Sequence, residues 1–168
     1  MQARSAGCSF CGGRLDVANY PRRPRGTGDL REEDLVRHSF CCAVEGCRRR
    51  CTPPSVRFLG RKVYPGAVVV LATALQQGPS KKSVTKLSVL LGINRRTLVR
   101  WRRWWSTMFA TSRFWKGLRG RFMPAVDEAA LPAAMLAAMS PTDEPALVAL
   151  LRLLAPVSTR PGLEASAM

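Results

Sequence analysis

Acid is what this sequence has least of: 11 Asp and Glu stand against 27 Lys and Arg, a formal net charge of +16. The shortage is local. Residues 1–122 carry 25 basic and 6 acidic side chains, a net of +19, and residues 123–168 carry 2 and 5, a net of −3. A basic body with a near-neutral tail points to a polyanionic partner, nucleic acid first and an anionic membrane surface second. Long apolar runs are missing too. None reaches the roughly 18–20 residues that a membrane span needs, and the first ten residues have no signal-peptide hydrophobic region, so the expected location is the cytoplasm, at the bacterial nucleoid, with no membrane partner. Aliphatic residues are sparse in residues 1–60, which therefore need a source of stability other than a large core.

Cysteine supplies that source. Six cysteines in a cytosolic chain point to a metal before disulfides. Cys8-Ser9-Phe10-Cys11 followed by Gly12-Gly13 has the shape of a knuckle, two thiolates on one tight turn aimed at one ion, with glycines that let the backbone curl beneath it. The second pair is expected to be Cys42 and Cys47, separated by four residues that include Gly46. Cys41 adjoins Cys42 and in a strand points to the other face. Cys51 follows three arginines, beyond the knuckle. Both are expected as free thiols, and His38 as a solvent-facing or hydrogen-bonded strand residue. Four thiolates suit Zn²⁺ and close a tetrahedral structural site, leaving no open position for the water of a hydrolytic centre. Arg48, Arg49 and Arg50 are expected as a phosphate clamp beside it, against the plainer reading of a solvated charged face.

Short strands are expected at Leu15–Tyr20, Val36–Phe40 and Val56–Leu59, with a Pro- and Gly-interrupted loop over YPRRPRGTGDLREED. From Val63 the pattern turns helical. Val68, Leu71, Ala72 and Leu75 have the i, i+3, i+4, i+7 spacing of one helix face, with Pro65 in the first turn and Gly78-Pro79 as the stop. VTKLSVLLGINRRTLVRWRRWW reads as helix over Val84–Leu91, a turn at Gly92, and a second helix capped by Asn94. On a helical wheel Leu98, Trp101 and Trp105 share one side. Arg96, Val99, Arg100 and Arg103 share the other, with Arg95 and Arg102 flanking. That arrangement fits a helix-turn-helix whose second helix presents arginines to the major groove of double-stranded DNA, with the tryptophans as core. STMFATSRFWKGLRGRFMP is expected to be a further basic helix or an ordered arm. Pro124 marks a boundary, followed by helices near 127–139 and 142–154, the latter capped within Ser140–Asp143. Leu147, Leu150, Leu151 and Leu154 are expected either to pack on the body or to pair with a second copy.

CSFCGGRL, RHSFCCAVEGCRRRCTPPSVRFLGRKVY and SVTKLSVLLGINRRTLVRWRRWW together resemble the amino-terminal part of bacterial insertion-sequence transposases with a zinc ribbon, over about residues 8–105. In that family a knuckle pair is followed by an aromatic-x-Cys-x(2–4)-Cys-Arg-(Arg/Lys) segment, a strand pair, a helix and a helix-turn-helix. Phe40, Cys42, Cys47 and Arg48-Arg49 take those places. The family continues into a nuclease domain with three dispersed carboxylates. Here the acids after Trp105 are Asp127, Glu128, Asp143, Glu144 and Glu164, grouped in pairs or near the terminus. The resemblance therefore implies DNA recognition without an enzyme activity.

The expected architecture is α+β: a zinc ribbon over 1–60, a helix-turn-helix domain over 61–123, and an Ala/Pro-rich tail over 124–168. The expected function is sequence-specific duplex DNA binding by a non-catalytic, transposase-like protein that recognises mobile-element DNA or regulates its expression. The alternatives are a DNA-binding subunit acting with a separate transposase nuclease, and an RNA-binding ribbon protein. A homodimer would suit inverted-repeat DNA.

Overall fold

A computed structural model of the chain describes residues 2–22, 24–25, 31–59, 64–75, 85, 89, 92–139 and 144–159. The class is α+β, a small antiparallel sheet region followed by helices. The chain divides into two compact units, Met1–Pro24 with Asp29–Pro54, and Arg25–Gly28 with Ser55–Met168.

The first unit opens with one helical turn, α1 (Gln2–Ser5). Strands β1 (Leu15–Val17), β4 (Phe40–Cys42) and β5 (Arg50–Cys51) form an antiparallel sheet in the order β1-β4-β5. β2 (Tyr20–Pro21) and β3 (Val36–Arg37) form a separate two-stranded ladder. The register Leu15↔Cys42, Val17↔Phe40 and Phe40↔Cys51 places those residues on one face. Asp16, Cys41 and Arg50 align on the other.

Both of the longer strands expected here are broken at one place. Asn19 Oδ1 accepts the Ser39 N–H at 3.1 Å, and the Ala18 N–H bonds the Ser39 carbonyl at 2.9 Å. A side-chain oxygen thus takes a ladder position, and the pairing restarts on the far side. Cys8, Leu15 and Cys42 make up the buried core of this unit, with Phe40, Cys47 and Cys51 packed against it. Arg37 is buried as well. Its guanidinium donates to the Pro53 carbonyl at 2.8 Å, which satisfies part of a charged group that burial pushes towards neutrality.

In the second unit Val56–Leu59 is not a strand. One isolated bridge joins Phe58 to Pro65, and a proline has no N–H with which to extend it. Helices α2 (Gly66–Leu75), α3 (Arg95–Trp104), α4 (Arg113–Leu118), α5 (Ala133–Ala138) and α6 (Ala146–Leu154) follow. The face of α2 differs from the expected one. Ala72 is buried and Val68 packs against the core as expected, but Gly66, Val69, Val70 and Thr73 are buried too, while Leu71 and Leu75 are 40% and 50% exposed. GAVVVLATAL is apolar all round, so its periodicity fits two registers. Close packing selects one: a Cβ on Gly66 would stand 3.1 Å from Leu151 Cδ2.

Helix α3 runs into a single π turn, Trp105–Phe109, and Ser112 Oγ caps α4 by accepting the Trp115 N–H at 3.1 Å. Thr107 Oγ1 donates to the Arg103 carbonyl at 2.6 Å, one of the side-chain bonds that accompany the altered winding. Trp105, Phe109 and Trp115 stack edge-on and tilted at 4.6–5.5 Å between centroids and are fully buried. Leu131, Met135, Leu150 and Leu154 belong to the same core. Packing therefore does not break at Pro124, and the tail leucines pack on the body. Pro132 divides the helix expected over 127–139 into a 3₁₀ turn, Glu128–Ala130, and α5. Helix α6 starts after Pro145 with no side-chain cap. The expected cap at 140–143, the Gly78-Pro79 stop and most of the Val84–Leu91 helix lie outside the described residues; Thr85 and Val89 are helical.

Candidate metal centre and basic helix face

Two backbone turns and the end of β4 carry the four sulfurs. In the first, the Gly12 N–H bonds the Cys8 carbonyl at 2.8 Å and the Cys8 N–H bonds the Gly13 carbonyl at 2.9 Å. In the second, the Cys47 and Arg48 N–H groups both reach the Val44 carbonyl, at 3.1 and 3.2 Å, and Arg48 takes a left-handed conformation at φ 41°. The Ala43 N–H bonds the Arg14 carbonyl at 2.9 Å, which ties one turn to the other. The ligand atoms of Cys8, Cys11, Cys42 and Cys47 lie within 4.8 Å of one another, so these residues can hold a metal ion. Cys8 and Cys47 sulfurs are 3.8 Å apart, and those of Cys11 and Cys42 are 3.4 Å apart. A tetrahedral tetrathiolate with arms of about 2.3 Å needs sulfurs about 3.8 Å from one another, so the cluster fits an ion of zinc's size.

The backbone is arranged to bind sulfur anions. N–H groups of Phe10 and Cys11 hold the Cys8 thiol down to about 7, against the opposing effect of burial. The Val44 N–H lowers Cys42, but burial and the neighbouring thiols of Cys11, Cys47 and Cys8 outweigh it and push Cys42 up to about 12. Cys47 is raised in the same way: the Arg49 N–H lowers it, and the Cys11 thiol and burial prevail. Four bare thiolates at this spacing repel, so some of the protons stay until a cation replaces them.

Gly13 is required by close approach. A Cβ there would lie 2.4 Å from Val44 Cγ2 and 3.3 Å from both Cys11 and Cys42 sulfurs. Gly13→Ala is expected to weaken metal binding at least tenfold, with partial recovery when Val44→Ala is added, as read by competition with a chromogenic chelator. Unchanged affinity in Gly13→Ala contradicts the packing.

The other two cysteines stand apart from the cluster. Cys41 is half-buried on the opposite sheet face, its thiol 3.4 Å from the Arg48 carbonyl, and Cys51 lies on the inner face opposite Phe40. His38 is exposed. Arg48, Arg49 and Arg50 are exposed, and the Arg49 guanidinium lies over the Phe10 ring.

In the second unit Asn94 Oδ1 accepts the Arg96 N–H at 2.8 Å and fixes the start of α3. Gly92 before it has φ 59°, a conformation that favours glycine. Leu98 and Trp101 point into the core, as does Trp105 beyond the helix end. Arg95, Arg96, Val99, Arg100, Arg102 and Arg103 are all exposed, Val99 by 58%. No acidic residue occurs anywhere from Gly46 to Val126, a stretch with 18 Lys and Arg. The second acid beyond that stretch is the half-buried Glu128. Its Oε1 accepts from Trp115 Nε1 at 2.8 Å and Arg119 at 3.2 Å, and these two partners hold it below its ordinary value. Sequence patterning gives no sign of that pair or of the Arg49–Phe10 stack, since each joins residues without periodic spacing. No helix among the described residues is long and apolar enough to cross a membrane.

Comparison with protein-family models, curated proteins and solved structures finds no match to this chain.

Proposed function

We propose that the ion is Zn²⁺, that the first unit is a zinc ribbon, and that α3 is the recognition helix of a helix-turn-helix that binds double-stranded DNA sequence-specifically. One observation carries the reading. A capped helix anchors Leu98 and Trp101 in an aromatic core and turns Arg96, Val99, Arg100 and Arg103 to solvent, within a long stretch free of acid. Arginine's planar fork matches the acceptor pair of guanine in the major groove, and an exposed valine suits a thymine methyl. Arg95 and Arg102 flank that face and suit phosphates, as do Arg48, Arg49 and Arg50 on the ribbon.

The ion supplies rigidity. Four thiolates saturate it, so this chain's part in the process is to bind and to position. The resemblance to zinc-ribbon transposases supports recognition of mobile-element DNA as the biological task, without catalysis by this chain. Arg96→Ala and Arg100→Ala are each expected to cost about 1–3 kcal/mol of discrimination between the selected site and a scrambled duplex. Fluorescence anisotropy on both duplexes reads this. Equal losses on the two would make these residues phosphate contacts, and no loss would remove α3 from the interface.

A further inference from the structure

We propose that Phe10, backed by Arg49, is a stacking platform for an unpaired nucleobase of single-stranded DNA. Phe10 lies between Cys8 and Cys11, on a turn too short to fold its ring into a core, and it is 65% exposed. The turn is closed by its own backbone: the Gly12 N–H donates to the Cys8 carbonyl at 2.8 Å and the Cys8 N–H to the Gly13 carbonyl at 2.9 Å. The Arg49 guanidinium carbon sits 3.9 Å from the ring centroid and covers one face. With that face taken and the ring still mostly exposed, the second face is open to solvent.

A lone exposed aromatic is ordinary. This one is held on a metal-binding turn, carries a cation on one side, and has Arg48 and Arg50 adjoining that cation in sequence, both exposed. The base of a single strand offers a π face to the ring, and its phosphates meet the arginines. In a duplex the base faces are already stacked, so the platform selects unpaired bases. The inference rests on the DNA-binding reading for its ligand class, and it involves a different unit of the protein from α3.

The test uses the full metal-loaded chain, a mixed-sequence single-stranded DNA carrying 2-aminopurine, and a blunt duplex of the same sequence. Phe10→Ala is expected to lower single-strand affinity about 5- to 150-fold and to abolish the 2-aminopurine quenching. Phe10→Trp should keep both, and the two Phe10 variants should keep metal content and duplex affinity. The proposal is overturned if Phe10→Ala binds the single strand as tightly as the parent. Equal losses on single strand and duplex overturn it too, as does a tenfold preference for the same sequence as RNA. Arg96→Ala with Arg100→Ala is run alongside. Unchanged duplex binding in that variant tells against the recognition helix alone, and the Phe10 results decide the platform.

Discussion

Stripping metal from the four candidate sulfur ligands is expected to unfold the first unit and to leave the helical unit folded. Among the described residues the apolar core of the first unit is Cys8, Leu15 and Cys42, two of them candidate ligands, and its strands are two or three residues long. Such a unit cannot offset its chain entropy through apolar burial. A structural Zn²⁺ site contributes an apparent ~10–16 kcal/mol at neutral pH, and that is folding energy for the segment that holds it. The second unit has a core of its own, the cluster around Trp105, Phe109 and Trp115. All four tryptophans lie in that unit. A chelator should therefore abolish amide-exchange protection in the strands β1, β4 and β5 and in the turn after Cys8, while the near-UV tryptophan circular dichroism stays in place. Cys42→Ser should do the same without chelator. Acid should release the ion too, since falling pH returns protons to the thiolates. Protection retained in the metal-free chain would contradict the assignment of stability to the four sulfurs.

Trp105→Ala is expected to cost about 3–5 kcal/mol and to melt the helical unit while leaving metal binding intact. The ring is fully buried and packs edge-on against Trp104 at 4.8 Å and Phe109 at 4.6 Å. It also forms the hinge between α3 and the π turn, so its loss removes the support behind the arginine face. Trp105→Phe should cost far less. The indole Nε1 is buried with no hydrogen-bond partner among the described residues, and phenylalanine discards that N–H together with its desolvation cost of about 1–3 kcal/mol. Urea midpoints of the two variants measure the difference. Equal damage from both would mean that the N–H is partnered after all.

The sequence was most legible where spacing alone determines geometry. Cys8 and Cys11 share one turn, Cys42 and Cys47 flank the start of another, and the fold brings those four sulfurs together. Helix α3 was legible because its apolar and basic residues separate cleanly on a wheel and Asn94 marks its start. Helix α2 was not: every position from Ala67 to Ala72 is apolar, and the buried register is set by contact with Leu151, far along the chain. The tail misled for a related reason. Pro124 and the alanines look like a boundary, but Leu131, Met135, Leu150 and Leu154 complete a core whose other half lies before it. Arg37 is the plainest case of tertiary override, a charged residue buried because the Pro53 carbonyl meets its guanidinium.

The central claim is that a capped helix, anchored by tryptophan and leucine, delivers Arg96, Arg100 and Arg103 to duplex DNA in a chain that also carries a metal-stabilised basic ribbon. Selection of bound fragments from a random duplex library by the metal-loaded full chain tests it most directly, with Arg96→Ala/Arg100→Ala/Arg103→Ala selected in parallel. The expected result is one enriched site for the parent chain and none for the triple variant. No enrichment by the parent, or the same site enriched by both proteins, would contradict the claim.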